Sequence, residues 1–158
     1  MPKLDLDSIP QRTTCGYPAP FHQICAGRIR QVLGDAGGLT QFGVNLLQLA
    51  PGSASSQRHW HTHEDEFVMV LSGVVILVTD AGEQTLQAGE CAAFPGGVPD
   101  GHQLVNRGTV PAVCLEVGSR ITGDGAAYPD VDLLYDGKRE GYTHRDGTPY
   151  PKRDDTPA

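Results

Sequence analysis

Between residues 24 and 118 the chain is interrupted every few positions by glycine or proline, and no stretch sustains a 3.6-residue apolar period over a dozen residues. Helices of ordinary length are thereby excluded from the centre of the chain, and short strands joined by turns remain. Strands are expected over 24–33, 39–49, 57–61, 66–71, 74–79, 84–87, 90–94, 102–105 and 110–117. The intervening Gly34-Asp35-Ala36-Gly37-Gly38, Pro51-Gly52, Asp80-Ala81-Gly82-Glu83, Pro95-Gly96-Gly97-Val98-Pro99 and Asn106-Arg107-Gly108 carry turn chemistry, the first of them suited to a hairpin loop. Regular short strands of this kind predict an all-β jelly-roll barrel or double sheet.

At 158 residues the chain fits one domain. We expect a barrel over 21–118 between two arms, 1–20 and 119–158, both rich in Pro, Gly, Asp and charge. Tyr128, Tyr135, Tyr142 and Tyr150 are expected to pin the C-terminal arm to the barrel, with 152–158 frayed at its end.

Twelve Lys and Arg against 19 Asp and Glu give a net charge of −7, the wrong sign for a phosphate backbone, so nucleic acid is not an expected partner. The basic pairs Arg28/Arg30, Lys138/Arg139 and Lys152/Arg153 are too small for a membrane-binding cluster and are read as solvated surface. No apolar run approaches the roughly 20 residues that span a bilayer. The N-terminus has no secretory or transit character, which predicts a cytoplasmic protein with Cys15, Cys25, Cys91 and Cys114 as thiols, the last two buried in apolar strands.

Three imidazoles and three carboxylates fall within Arg58-His59-Trp60-His61-Thr62-His63-Glu64-Asp65-Glu66. Strand residues two apart point the same way, so His59 and His61 can aim two imidazoles into one space while Trp60 faces the other. After a turn, a returning strand can bring Glu66 beside them. His102, opening a later strand, can furnish a fourth ligand from across the barrel. Imidazole with carboxylate suits Fe, Mn, Ni, Cu or Zn.

These residues resemble the cupin superfamily. Its first motif is Gly, a spacer, His-x-His, three or four residues, Glu, six residues, Gly. Here His59-x-His61, Glu66 and Gly73 match, with Gly52 one residue farther from His59 than the pattern has it. The second motif, Gly, five residues, Pro-x-Gly, two residues, His, three residues, Asn, is matched by Gly89, Pro95-Gly96-Gly97, His102 and Asn106, with four residues instead of two before His102. The resemblance covers about 40–118 and implies the double-stranded β-helix of cupins with a metal on His59, His61, Glu66 and His102. In that pattern a His61-x-His63 pair would leave too few residues before Glu66, so His63 is expected at the barrel mouth and not on the metal. A metallo-β-lactamase-like His-x-His-x-Asp-His reading fails, because no Asp-His pair follows in register.

The expected function is that of a metal-dependent enzyme on a small oxygenated or sugar-like molecule, an oxygenase, decarboxylase or isomerase, with Glu66 and His63 as candidate acid–base groups. The alternative is a non-catalytic module that binds or senses a small molecule through the same metal. Arg58, Trp60 and Asp65 are expected to flank the site, His22 and His144 to be solvated or structural, and Glu116 to lie on the surface. If Glu66, Val68 and Val70 face the cavity, then Phe67, Met69 and Leu71 form an apolar outer row, which predicts a homodimer.

Overall fold

The computed structural model describes residues 3–138 and 141–151. Thirteen strands follow in order: β1 Gln11–Arg12, β2 Arg28–Val32, β3 Phe42–Leu49, β4 Trp60–His61, β5 Glu66–Ser72, β6 Val74–Thr79, β7 Gly82–Gln87, β8 Cys91–Phe94, β9 Gln103–Val105, β10 Ala112–Ser119, β11 Gly125–Tyr128, β12 Leu133–Asp136 and β13 Gly141–Thr143. The order within the sheets is β1-β2-β3-β10-β5-β8, β7-β6-β9 and β13-β12-β11-β4. This is the all-β jelly-roll barrel expected from the turn spacing.

The first predicted hairpin differs in its connection. Leu33–Ala36 is a single helical turn, α1, capped by Gly37, and β2 ends at Val32. Gly34 explains the tight path, since a Cβ there would lie 2.8 Å from the Val44 nitrogen.

The main core lies where the six-stranded and three-stranded sheets face each other, and every member obeys strand parity. Leu47 and Leu49, Val68 and Val70, Val75 and Leu77, and Ala112 and Cys114 are all buried, whereas Phe67 and Leu71, which flank Val68 and Val70, are exposed. Gly73 closes the turn from β5 to β6 at φ 77°, with room for no Cβ because Ala112 Cα would lie 2.9 Å away. Asn106, fully buried, closes the turn before β10: its Nδ2 donates to Leu49 O and Val110 O, and its Oδ1 accepts from Gly108 N. Cys91 departs from expectation. It is exposed, because β8 is an edge strand, while Cys114 in the sheet centre is buried.

The C-terminal arm is itself stranded. β11 pairs with β4, Ala126 opposite His61 and Ala127 opposite Trp60, and β12 and β13 extend that sheet. Its small residues, Gly125-Ala126-Ala127, hide the strand from sequence reading because β-branched residues are missing. Tyr17 on the N-terminal arm meets Tyr128 and Tyr142 at centroid distances of 5.6 Å, so the two arms share a second apolar cluster. The expected fraying of 152–158 lies outside the described residues, as do Arg139, Lys152 and Arg153 of the basic pairs. Among the described residues no helix is long and apolar enough to cross a membrane.

Candidate metal centre and cavity

His59 and His102 are opposed in an antiparallel bridge, each backbone N–H donating to the other's carbonyl (3.1 and 2.8 Å). His102 therefore reaches the site from the neighbouring chain segment, not from across the barrel. The turn after His61 brings Glu66 back at the head of β5. That turn is held by Pro95-Gly96-Gly97: Gly97 N donates to His61 O (2.9 Å) and Gly96 N to Asp65 Oδ1 (2.8 Å). A Cβ on Gly96 would collide with the His63 carbonyl, which is why the segment needs glycine there. The two extra residues before His102 are accommodated without losing its place beside His59.

All three imidazoles aim Nε2 at one carboxylate oxygen. Glu66 Oε2 lies 2.8 Å from His102 Nε2, 3.5 Å from His59 Nε2 and 3.6 Å from His61 Nε2. The opposite ring nitrogens fix the tautomers. His59 Nδ1 lies 2.9 Å from Gln57 O, an obligate acceptor, and His61 Nδ1 lies 2.6 Å from Asp124 Oδ2. Each Nδ1 thus carries a proton, so that in the neutral imidazole the lone pair lies on Nε2. Two neutral imidazoles here would turn their lone pairs toward a carboxylate, an arrangement suited to a cation between them. Four-coordinate ligand bonds of about 2.0–2.2 Å place ligand atoms roughly 3.3–3.6 Å apart, so the His59, His61 and Glu66 spacing fits a transition metal. His59, His61 and Glu66 form one metal-capable group among the described residues. His102 belongs to the same cluster through its hydrogen bond, with its ring stacked on Phe94 at 3.7 Å and 5°.

The imidazoles also stabilise the Glu66 carboxylate directly. Burial would raise the Glu66 carboxyl, but hydrogen bonding to His102 and His59 and the proximity of His59 and His61 hold it well below the usual carboxylate range. Burial lowers His102, against the opposing effect of Glu66, which favours the neutral imidazole that a metal requires.

Sequence reasoning missed Asp124. Oδ1 accepts from His63 N (2.8 Å), Glu64 N (3.2 Å) and Thr62 Oγ1 (3.1 Å), while Oδ2 holds His61. Burial raises its pKa, yet the bond to His61 and the backbone N–H groups bring it below the ordinary value. Carboxylates that orient a ligating imidazole from behind are a recurrent feature of metal sites. His63, in contrast, has a side chain 61% exposed, bonds to Thr62 Oγ1 and does not line the cavity.

The cavity in front of Glu66 measures about 300 Å³, at the small end of the ~300–1,000 Å³ typical of small-molecule sites. Glu116 lines it, correcting the expectation of a surface position. Ala112 and Cys114, four and two residues before it, are buried, so their parity carries Glu116 inward, opposite Val68 and two residues along β5 from Glu66. Its carboxylate meets Arg30 Nη2 at 3.0 Å. Arg28 and Arg30 likewise are not solvated surface: Arg28 is 5% exposed, and both line the cavity. Their strand is central enough to turn alternate residues inward, whatever their charge.

Of the flanking residues, Asp65 organises the turn, and Trp60 borders a smaller adjoining cavity of about 60 Å³. Arg58 does something different. Its guanidinium grips Asp130 (2.7 and 2.8 Å) and also bonds Asp80, tying the C-terminal sheet to the β6–β7 turn. His144 pairs with Asp132 and stacks on Tyr150, and His22 is packed among the arm residues with Nδ1 buried.

The family model described as Cupin domain matches residues 45–118. A crystal structure of a sugar phosphate isomerase from a cupin superfamily, from Silicibacter pomeroyi DSS-3, is 47% identical over 95% of this chain and 97% of its own, with a TM-score of 0.88. A protein of Acidithiobacillus ferrooxidans, provisionally ascribed the same activity, is 33% identical over 73% of this chain and 74% of its own, at TM-score 0.69. A polyketide cyclase of Streptomyces resistomycificus shares the fold at 20% identity, covering 75% and 79%, with TM-score 0.61. Comparison with curated protein sequences gives no significant match.

Proposed function

Because this chain belongs to the cupin superfamily, we propose that it is a metal-dependent isomerase that interconverts a phosphorylated aldose and ketose. The observation that carries the reading is the convergence of the His59, His61 and His102 Nε2 atoms on Glu66 at one end of a cavity that also holds a separate carboxylate, Glu116. The name given to the 47% identical protein supplies the substrate class.

A metal held by His59, His61, Glu66 and His102 would supply positive charge to polarise the substrate carbonyl and stabilise oxygen anions. Proton transfer falls to Glu116. It takes the proton from C2 of the aldose; the C–H electron pair becomes the C1–C2 double bond and the carbonyl pair moves to O1. Return of the proton to C1, with loss of the O2 hydroxyl proton and its transfer to O1, yields the ketose with no net change in atoms. Arg30, on both Glu116 oxygens at 3.0–3.1 Å, and Asn45 at 3.5 Å fix the carboxylate's position.

Protein made in metal-replete medium is expected to carry about one transition metal per chain by elemental analysis. Loaded in turn with Fe, Mn, Ni, Zn or Cu and incubated with aldose phosphates in deuterated water, it should produce ketose phosphate carrying deuterium at C1. Background metal content, or no interconversion with any loaded metal, would sink the reading.

A second copy of the chain is proposed to cover the outer face of β5, where Phe67 is 37% and Leu71 46% exposed. Light scattering at micromolar concentration should give twice the chain mass, and a monomer mass refutes the dimer.

A further inference from the structure

Arg28 is a buried cation without an anion. Its Nη1 donates to Ser55 O (2.5 Å) and Nη2 to Thr14 O (3.3 Å), both neutral carbonyls, and among the described residues no carboxylate meets it. Its Nε, like that of Arg30, is buried and has no hydrogen-bond partner among them. A guanidinium withdrawn from water is stable only when its charge is compensated. Backbone carbonyls supply dipoles, not charge.

Arg30, two residues along the same strand face, pairs with Glu116, while the cavity's other carboxylate, Glu66, is taken up by the three imidazoles at the opposite end. Two guanidinium groups against one carboxylate leave a positive excess at this end of the cavity, in a chain whose net charge is −7. Composition does not produce that excess; strand parity gathers it. Tyr17, 7% exposed, and Ser55 line the same region and add hydroxyl groups.

We propose that Arg28 and Arg30 form an anion subsite that receives a phosphate monoester dianion, the distal group of a substrate whose other end lies at the histidine cluster. This rests on the isomerase reading for the identity of that substrate, but the subsite itself stands on the two arginines. Guanidinium suits the task because its planar fork of N–H groups matches phosphate oxygens. Glu116 lies between the two ends, held by Arg30, so phosphate bound to the arginines places the sugar chain across the carboxylate that moves the proton. The subsite thereby selects phosphorylated over free sugars.

Inorganic phosphate titrated calorimetrically into chelator-treated protein tests this directly, since without metal no second anion site competes. Arg30→Gln and Arg28→Lys should each weaken phosphate binding by tenfold or more, whereas His61→Ala should change it less than threefold. Arg28→Gln is the sharper variant where circular dichroism shows it folded; Arg28→Lys and Arg30→Gln carry the test where it is not. Affinities within twofold of wild type in both of these overturn the subsite, as does loss of binding in His61→Ala equal to theirs. Arginine-dependent phosphate binding in a protein that isomerises no sugar phosphate would leave the subsite standing and remove the isomerase. Equal turnover of free and phosphorylated sugars, with phosphate binding indifferent to the arginines, would do the reverse.

Discussion

Asp124→Asn is expected to weaken transition-metal binding about 10- to 100-fold while the fold persists. The cause is a proton. Asp124 Oδ2 accepts from His61 Nδ1 at 2.6 Å, which keeps the lone pair on Nε2, 3.6 Å from Glu66. In the asparagine variant Oδ1 can still accept from the His63 and Glu64 backbone, which points the amide NH₂ at His61. A donor there favours the tautomer with the proton on Nε2, where it blocks the ligand position. His61→Ala should be more severe, and His63→Ala should leave metal content near wild type, since its side chain is directed to solvent. Competition against a chromophoric chelator measures all three. An Asp124→Asn affinity within threefold of wild type would dismiss the tautomer argument, and equal losses in His63→Ala and His61→Ala would undo the ligand assignment.

Asp124 also links the site to pH. Its folded pKa lies below the unfolded value near 3.9, so the stability it contributes is present above that value and drains away as pH falls through the folded pKa.

The second large effect concerns turnover with metal in place. Glu116→Gln should lower kcat by about 10²–10⁴ while metal content stays unchanged, because the side chain is on none of the imidazoles. Glutamine keeps an oxygen for Arg30, so the cavity wall persists and only the proton acceptor is lost. Deuterium wash-in at C2 of the substrate should fall in proportion to ketose formation. If turnover drops less than threefold, another group carries the proton and Glu116 serves only to hold Arg30.

The histidine pair was legible because two features of it are local: a two-residue period that sends His59 and His61 to one side, and a polar turn that brings back Glu66. Gly73 and Asn106 belong to the same class, each demanded by a turn that the sequence itself marks. Asp124 could not be read, because its role depends on β11 pairing with β4, between residues more than sixty positions apart, and the Gly125-Ala126-Ala127 run carries no strand signal. A parity error of one position misplaced Glu116, although the buried Ala112 and Cys114 settle its direction once the register with Leu47 and Leu49 is known. Arg28 and Arg30 escape a sequence reading for a different reason: charge suggests exposure, whereas a strand inside a sheet turns every second side chain inward. Cys91 is the converse case, an apolar neighbourhood lying on a sheet edge.

The Asp124–His61 bond also bears on the order in which the protein becomes competent during synthesis. The segment from β2 to β10 contains every proposed ligand, and it leaves the ribosome before residues 124–137, which supply Asp124 and, in Gly137 N, the donor that anchors the Asp124 carbonyl at 2.9 Å. A nascent chain with its barrel already closed would hold His61 without its acceptor, free to take either tautomer, and would bind the proposed metal weakly. Tight loading of the proposed metal would thus wait for the strands that follow the barrel in the chain, which would act as a completeness check on the site.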